Sequence, residues 1–416
     1  MSYSIDYNIL DPGLYVKHQG PPHELFDLWR EQDPVHWNPP TPDYESPMPN
    51  SSMSKGFYVL TRHQDVFDVS RNQELFTSHD EGFLIWDNHG PGLEQLQANF
   101  MGMRPPEHAA VKQVITPPFS PKPMLEMAPK IEALAAEIVD DVCERGECEF
   151  VFDVAAKLPV FTFCELMGIP VEYRERVVEL GNAIADVETR KDLSANPVVE
   201  LAEIAIELGE QKRKHPDDRL LSQIVNSNEL NLEPLQVAMF FGVFAVAGHE
   251  TTRSTASHFI NLMNRHPDQY ELLLEDVDGR IDNAIEEVLR YTSTTTNFRR
   301  TTTAATEIGG VPVEKGAKIY LSYAGANRDP AVFENPHQFD ITRSNARKHL
   351  AFGTGPHVCT GARLARLQLK ALLKQIVTRI PDIRVVEAQW LRSIWFNAII
   401  HMPVEFTPAS ATGESL

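Results

Sequence analysis

From about residue 105 onward, apolar residues recur every three to four positions, as in "KIEALAAEIVDDVCERG" and "IDNAIEEVLRYT". That period predicts helices with one face turned to a core. Two-residue alternation is confined to short pieces, "GFYVLTR", "EIGGVPVEKGAKIYLSY" and "IIHMPVEF", which glycine and proline punctuate. These read as strands of small sheets, so the fold class expected is mainly α with small peripheral β-sheets. Residues 38–55, "NPPTPDYESPMPNSSMSK", have no period and read as a loop within a domain, not as a linker.

One helix is distinctive. It begins at Pro234, a residue tolerated in a first helical turn, and runs to the stop at His266-Pro267. Such a helix spans about 45 Å, enough to cross a whole domain. Its first half, "LQVAMFFGVFAVAG", is apolar nearly all round and predicts a buried central spine. "AGHETTRST" then places Glu250, Thr251 and Thr252 in the middle of that spine. A buried acid is unfavourable unless it is satisfied or used. Either threonine can simply bond the carbonyl four residues back. His249 lies about 100° round from Glu250 and reads as an ordinary helix residue.

The stretch "AFGTGPHVCTGARLARLQLK", residues 351–370, sets a lone cysteine among glycines and follows it with a helix. Gly353, Gly355 and Gly361 are expected to adopt conformations closed to other residues and to admit a large flat group against the main chain. Backbone amides and the positive end of the next helix would favour a Cys359 thiolate, an axial metal ligand or a nucleophile. That helix carries an apolar stripe, Ala365, Leu369, Leu372, Leu373, Ile376 and Ile380. It also carries a basic one, Arg363, Arg366, Lys370 and Lys374, expected to face outward.

Composition narrows the setting. A formal net charge of -20 disfavours nucleic acid and anionic membrane surfaces, so any basic patch is local and suits an acidic protein partner. The other cysteines, Cys143, Cys148 and Cys164, have no zinc spacing and read as buried thiols. The N-terminus shows no targeting pattern and the longest apolar run is too short to span a bilayer, which leads to the expectation of a cytoplasmic protein.

"FGTGPHVCTG" resembles the haem-binding loop of the cytochrome P450 monooxygenases, Phe-Gly-x-Gly-x-His/Arg-x-Cys-x-Gly. Phe352, Gly353, Gly355, His357, Cys359 and Gly361 fill its fixed positions. "EEVLR" is similar to the family's Glu-x-x-Arg through Glu287 and Arg290, "AGHETT" to its acid-alcohol pair through Glu250 and Thr251, and "FENPHQFDITR" to its later arginine through Arg343. Order and spacing agree from about residue 100 to 405. The resemblance implies a triangular prism-like, single haem domain over residues 1–416, monomeric, with haem b bound through a Cys359 thiolate. It implies propionate contacts from His108, Arg300 and His357, and a haem bed including Phe352, Gly353, Gly361, Ala247 and Gly248. Lys112 stands where the family commonly has arginine; it keeps the charge without the fork, and contacts a propionate or water.

The same resemblance makes Thr251 and Glu250 the catalytic alcohol and proton-relaying acid, and Glu287, Arg290 and Arg343 a buried structural triad instead of a surface pair. It gives pocket walls at Phe83, Leu84, Trp86, Phe240, Val243, Phe244, Thr296, Trp395 and Phe396, whose aromatics could equally be core. These predict an apolar small-molecule substrate: terpenoid, steroid or other lipid, or aromatic. No flavin or iron-sulfur motif is present, so electrons are expected from a separate ferredoxin and its NAD(P)H-dependent reductase, docking on Arg363, Arg366 and Lys370 with Arg347 and Lys348 nearby. The alternatives are a peroxide-driven peroxygenase, against which the acid-alcohol pair argues, and a non-catalytic haem sensor.

Overall fold

A reciprocal cap starts the long helix: Glu233 accepts from the backbone of the first turn while Gln236 reaches back to the Glu233 amide, with Pro234 at the first position. The helix runs Pro234–Arg265, the bounds that the sequence predicts, and His266 then caps the next helix, Pro267–Glu275. The computed structural model describes residues 3–44, 46, 51–185 and 197–413. Around the long helix pack Lys157–Met167, Pro197–Lys214, Val277–Thr292 and Ala362–Arg379, and their apolar faces form the main core with it. Of the stripe predicted on the last of these, Leu369, Leu372, Leu373 and Ile376 are buried.

The sheets are peripheral. The largest has five strands in the order Val35–Asn38, Phe57–Leu60, Lys318–Ser322, Asn297–Thr302 and Phe76–Thr77. Its Asn297–Thr302 strand pairs antiparallel with Lys318–Ser322, Arg300 opposite Ile319 and Phe298 opposite Leu321. Side chains alternate along a strand, so Phe298 and Arg300 share one face and Arg299 takes the other. The proline-rich stretch after residue 38 enters a two-residue strand, Ser51–Ser52, paired with Asp87–Asn88; residues 45 and 47–50 lie outside the described residues.

Glu287, Arg290 and Arg343 do meet. Both Glu287 oxygens accept from Arg290 at 2.7 Å, and one also accepts from Arg343 Nε at 3.2 Å and the Asp340 amide at 3.0 Å. The arginines spend their remaining donors on carbonyls of Asn327, Glu334, Asn335, Pro336 and Gln338, tying irregular backbone to the helix. Glu287 and Arg290 are fully buried, so removing the carboxylate strands two cations. Glu287→Ala should lose roughly 3–5 kcal/mol of stability, read from denaturant unfolding, while Glu287→Gln should lose less because it still accepts hydrogen bonds.

Candidate active site

The cysteine loop is closed by the Cys359 amide, which donates to the Phe352 carbonyl at 2.8 Å. Gly353 and Gly355 have φ of +68° and +72°, as expected of the loop. Gly355 has a second reason: a Cβ there would stand 2.9 Å from the Ser70 carbonyl and the Arg71 Cα. Gly361 departs from expectation, with an ordinary φ of -82°. Cys359 is exposed at the mouth of the loop while protein encloses its other sides. Burial pushes its thiol up; the Gly361 amide, Lys112, Arg366 and the Ala362 amide act the other way. Cys143 and Cys164 are buried and Cys148 half-buried, their thiols all raised by burial, Cys148 and Cys164 to about 12.

Between its exposed ends, the long helix opens only at its middle. Ala247 and Gly248 are exposed and Thr251 half-buried, and a Cβ on Gly248 would meet nothing within 4 Å. These three residues lie on one helical face. Phe119 joins that face to the cysteine loop: its ring stacks on Phe244 with centroids 6.2 Å apart and lies 4.0 Å from the Cβ position of Gly361. The Thr251 hydroxyl donates to the Ala247 carbonyl at 2.8 Å, leaving its oxygen free to accept. Glu250 is buried, bound by the Arg253 guanidinium and the Ser254 hydroxyl. Thr252 and His249 are buried too, and burial followed by Arg253 brings His249 down to about 3.

Beside the loop lies a cluster of bases. His357 and His108 stack with ring centroids 4.2 Å apart, and Arg300 joins them from the sheet. Burial, then Lys112 and Arg300, lowers His108 to about 4; burial, then Arg300, His108 and Lys112, lowers His357 to about 2. Among the described residues, no carboxylate figures among the charges acting on His108, His357 or Arg300. His108 Nε2 is buried with no hydrogen-bond partner. This is a site short of anions, and two carboxylates such as the haem propionates fit it. His357 Nε2 also meets Ser78 Oγ at 3.3 Å, a contact that nothing in the sequence signals. Lys112 sits on the cysteine loop itself, donating to the Val358 carbonyl at 3.1 Å and the Thr360 hydroxyl at 2.7 Å.

The expected pocket residues divide into two ranks. Val243, Phe244, Trp395 and Phe396 are half-buried, whereas Phe83, Leu84, Trp86 and Phe240 are buried behind other rings. Phe298 links the ranks, meeting Phe83 at 6.2 Å, Trp395 at 6.2 Å and Tyr323 at 6.1 Å between centroids. Strand alternation from Arg300 points to Phe298 as a wall residue. Thr296, expected in the pocket, is fully buried with its hydroxyl donating to the Ile394 carbonyl at 2.7 Å, so it fastens the C-terminal turn.

The basic stripe after the cysteine is not free. Arg366 grips Glu286 with two nitrogens, Lys370 pairs with Asp282 at 2.9 Å, and Lys374 with Asp278 at 2.5 Å. Three acids at four-residue spacing on Val277–Thr292 thus neutralise three bases at the same spacing on Ala362–Arg379. Arg363, which donates to the Phe119 carbonyl at 3.3 Å, stays exposed, as do Arg347 and Lys348.

Comparison with known proteins gives this architecture a class. The family model for cytochrome P450 matches residues 183–380. A steroid C26-monooxygenase of Rhodococcus jostii is 30% identical over 97% of this chain and 85% of its own length. Linalool 8-monooxygenase of Pseudomonas putida is 31% identical over 96% of this chain and 99% of its own. A Mycobacterium marinum cytochrome P450, solved in complex with pseudoionone, superposes with a TM-score of 0.87 at 32% identity, covering 98% of this chain and 99% of that one. The chain belongs to the cytochrome P450 family. It is a monooxygenase, and its cofactor is haem b. Among the described residues no helix is long and apolar enough to cross a membrane.

Glu286 offers a pH test. Burial raises this carboxyl, but hydrogen bonds from Arg366 and His349 prevail and bring it to about 2. The His349 ring accepts from the Ala351 amide at Nδ1, so its Nε2–H is what donates to Glu286. A folded value below the unfolded ~4.3 contributes roughly 3 kcal/mol above that pH and loses it as pH falls through about 2. Glu286→Gln should therefore be less stable at neutral pH by about that amount and lose less between about pH 4.5 and 2, measured by urea unfolding across that range.

Proposed function

We propose that this monooxygenase hydroxylates an apolar terpenoid or steroid-like molecule, with Cys359 holding the haem iron as thiolate and a separate ferredoxin supplying electrons. The observation that carries the reading is a pair of openings joined through Phe119: the only exposed stretch in the middle of the long helix, among its described residues, and the exposed Cys359. When bound there, haem ligated by thiolate supplies dioxygen activation and oxygen insertion into a C–H bond, the second oxygen leaving as water. The whole chain serves as one haem domain, and His108, His357 and Arg300 take the propionates. Lys112 acts on the loop, bracing the backbone at Val358 and Thr360.

Thr251 accepts and donates protons at the open face through its hydroxyl, and Glu250 supplies them after releasing Arg253. The half-buried rings of Phe298, Trp395, Phe396 and Phe244 offer apolar surface to substrate. Relatives named for a steroid and for linalool, and a neighbour holding pseudoionone, share one feature in their molecules: a hydrocarbon body with little polarity. The ferredoxin docks on Arg363, Arg347 and Lys348, the cations of this face without a described acidic partner, while Arg366 and Lys370 serve the helix pair.

The reduced protein with carbon monoxide should show the red-shifted Soret band of thiolate-ligated haem, and Cys359→Ala should lose it; a variant that keeps the band rejects the ligand. Thr251→Ala should retain that band and substrate binding yet divert reductant into hydrogen peroxide. An unchanged ratio of product to NAD(P)H consumed would remove Thr251 from proton delivery.

A further inference from the structure

Residues 83–86 form a buried segment without regular structure, so their carbonyls have no ladder or helix to accept from. The sheet supplies the donors. The Arg299 amide donates to the Phe83 carbonyl at 2.8 Å, Lys318 Nζ to the Ile85 carbonyl at 3.1 Å, and Arg299 Nη1 to the Trp86 carbonyl at 3.1 Å. Asp87, fully buried, lies between the two cations, 2.8 Å from Lys318 Nζ and 3.4 Å from Arg299 Nη1, and accepts the Lys55 amide at 2.9 Å with its other oxygen. Lys318 is buried as well, its ammonium 5.3 Å from the centre of the Phe57 ring.

Two buried cations around one buried carboxylate is more positive charge than an inert brace needs. Glu81, at the rim, reaches Arg299 only at 3.7 Å and is shared with Lys55. Arg299 alone would neutralise Asp87, so the desolvation of Lys318 demands a return. What Lys318 adds is the hold on Ile85, midway between Phe83 and Trp86. Those two rings abut Phe298 and Trp395, at 6.2 and 6.1 Å, the half-buried rings of the pocket.

Resting on the pocket assignment above, we infer that Lys318 is a positioning residue for substrate selection: its ammonium suspends residues 83–86 from the sheet and so sets the shape of the aromatic wall. It touches neither substrate nor haem. Burial, then Arg299, lowers its ammonium to about 8, with Asp87 opposing and Lys55 adding to the fall, so the device works at neutral pH and weakens in alkali.

The test is Lys318→Met in the holoenzyme, which keeps Asp87 paired with Arg299 and so leaves equal and opposite charge. Two azole probes are titrated by difference spectroscopy: imidazole, which needs only the iron, and miconazole, which must also fit the wall. Imidazole affinity should stay within about twofold and miconazole affinity fall roughly tenfold, with haem content and carbon monoxide spectrum unchanged. Amide hydrogen exchange across residues 83–88 should accelerate in the variant, and Lys318→Arg should restore part of both readouts. In the wild type, the same selective loss of miconazole should appear as pH rises through about 8, which tests the idea even where Lys318→Met fails to fold. Equal effects on both azoles, or no effect on either, with unchanged exchange and a flat pH profile, overturn it. A wild type that shows no carbon monoxide band refutes the haem-thiolate reading separately, and the exchange measurement still decides Lys318.

Discussion

A single carboxylate holds both ends of the reactive loop. Glu286 accepts from His349, which precedes the loop, and from Arg366, in the helix that follows it, while Arg366 lies over the Phe352 ring at 4.5 Å. Cys359 is thus fixed between two anchors that converge on one residue of a different helix. The neighbouring Glu287 performs the matching task for the irregular backbone of residues 327–340. Two successive acids, about 100° apart round Val277–Thr292, tie that helix to the cysteine loop on one side and to the irregular backbone on the other. Because both are buried and multiply hydrogen-bonded, the arrangement has few alternatives close in energy.

Much of this is legible in the sequence. Pro234 and His266-Pro267 bound the central helix because proline acts locally, through its own φ and missing N–H. Gly353 and Gly355 could be placed for the same reason. Contacts across elements were not legible. The basic stripe of Arg366, Lys370 and Lys374 looks solvated in one dimension; only the pairing of two helices shows that Glu286, Asp282 and Asp278 meet it in register. The burial of Thr296 and its bond to the Ile394 carbonyl are likewise invisible in the sequence, because the acceptor comes from a distant segment. Phe298 falls within the expected wall segment 292–298 and alternation with Arg300 singles it out, whereas Ser78 and Phe119, brought in by distant segments, leave no trace in the local pattern.

At His108, His357 and Arg300 an acidic chain keeps basic groups out of solvent with no carboxylate beside them. Arg300 and Lys112 lower the proton affinity of both histidines, and His108 lowers that of His357, an arrangement unfavourable to the bare protein and favourable to a bound dianion. A dianion held there only in the folded state would relieve that repulsion and add to stability.

A common task connects several of the buried cations. Arg30 donates to the carbonyls of Thr61 and Gly325, Arg290 to those of Asn327, Pro336 and Gln338, Arg343 to those of Glu334, Asn335 and Gln338, and Arg299 with Lys318 to those of Trp86 and Ile85. Apart from Gly325, which lies in the short helix Tyr323–Ala326, the acceptors lie in turns, bends or just past a strand, outside helix and ladder. A fold that keeps its sheets small and its helices many leaves long irregular connections inside, and their carbonyls need donors that reach. Arginine supplies five on a long stem, which suits it to this task inside a chain that is acidic in total.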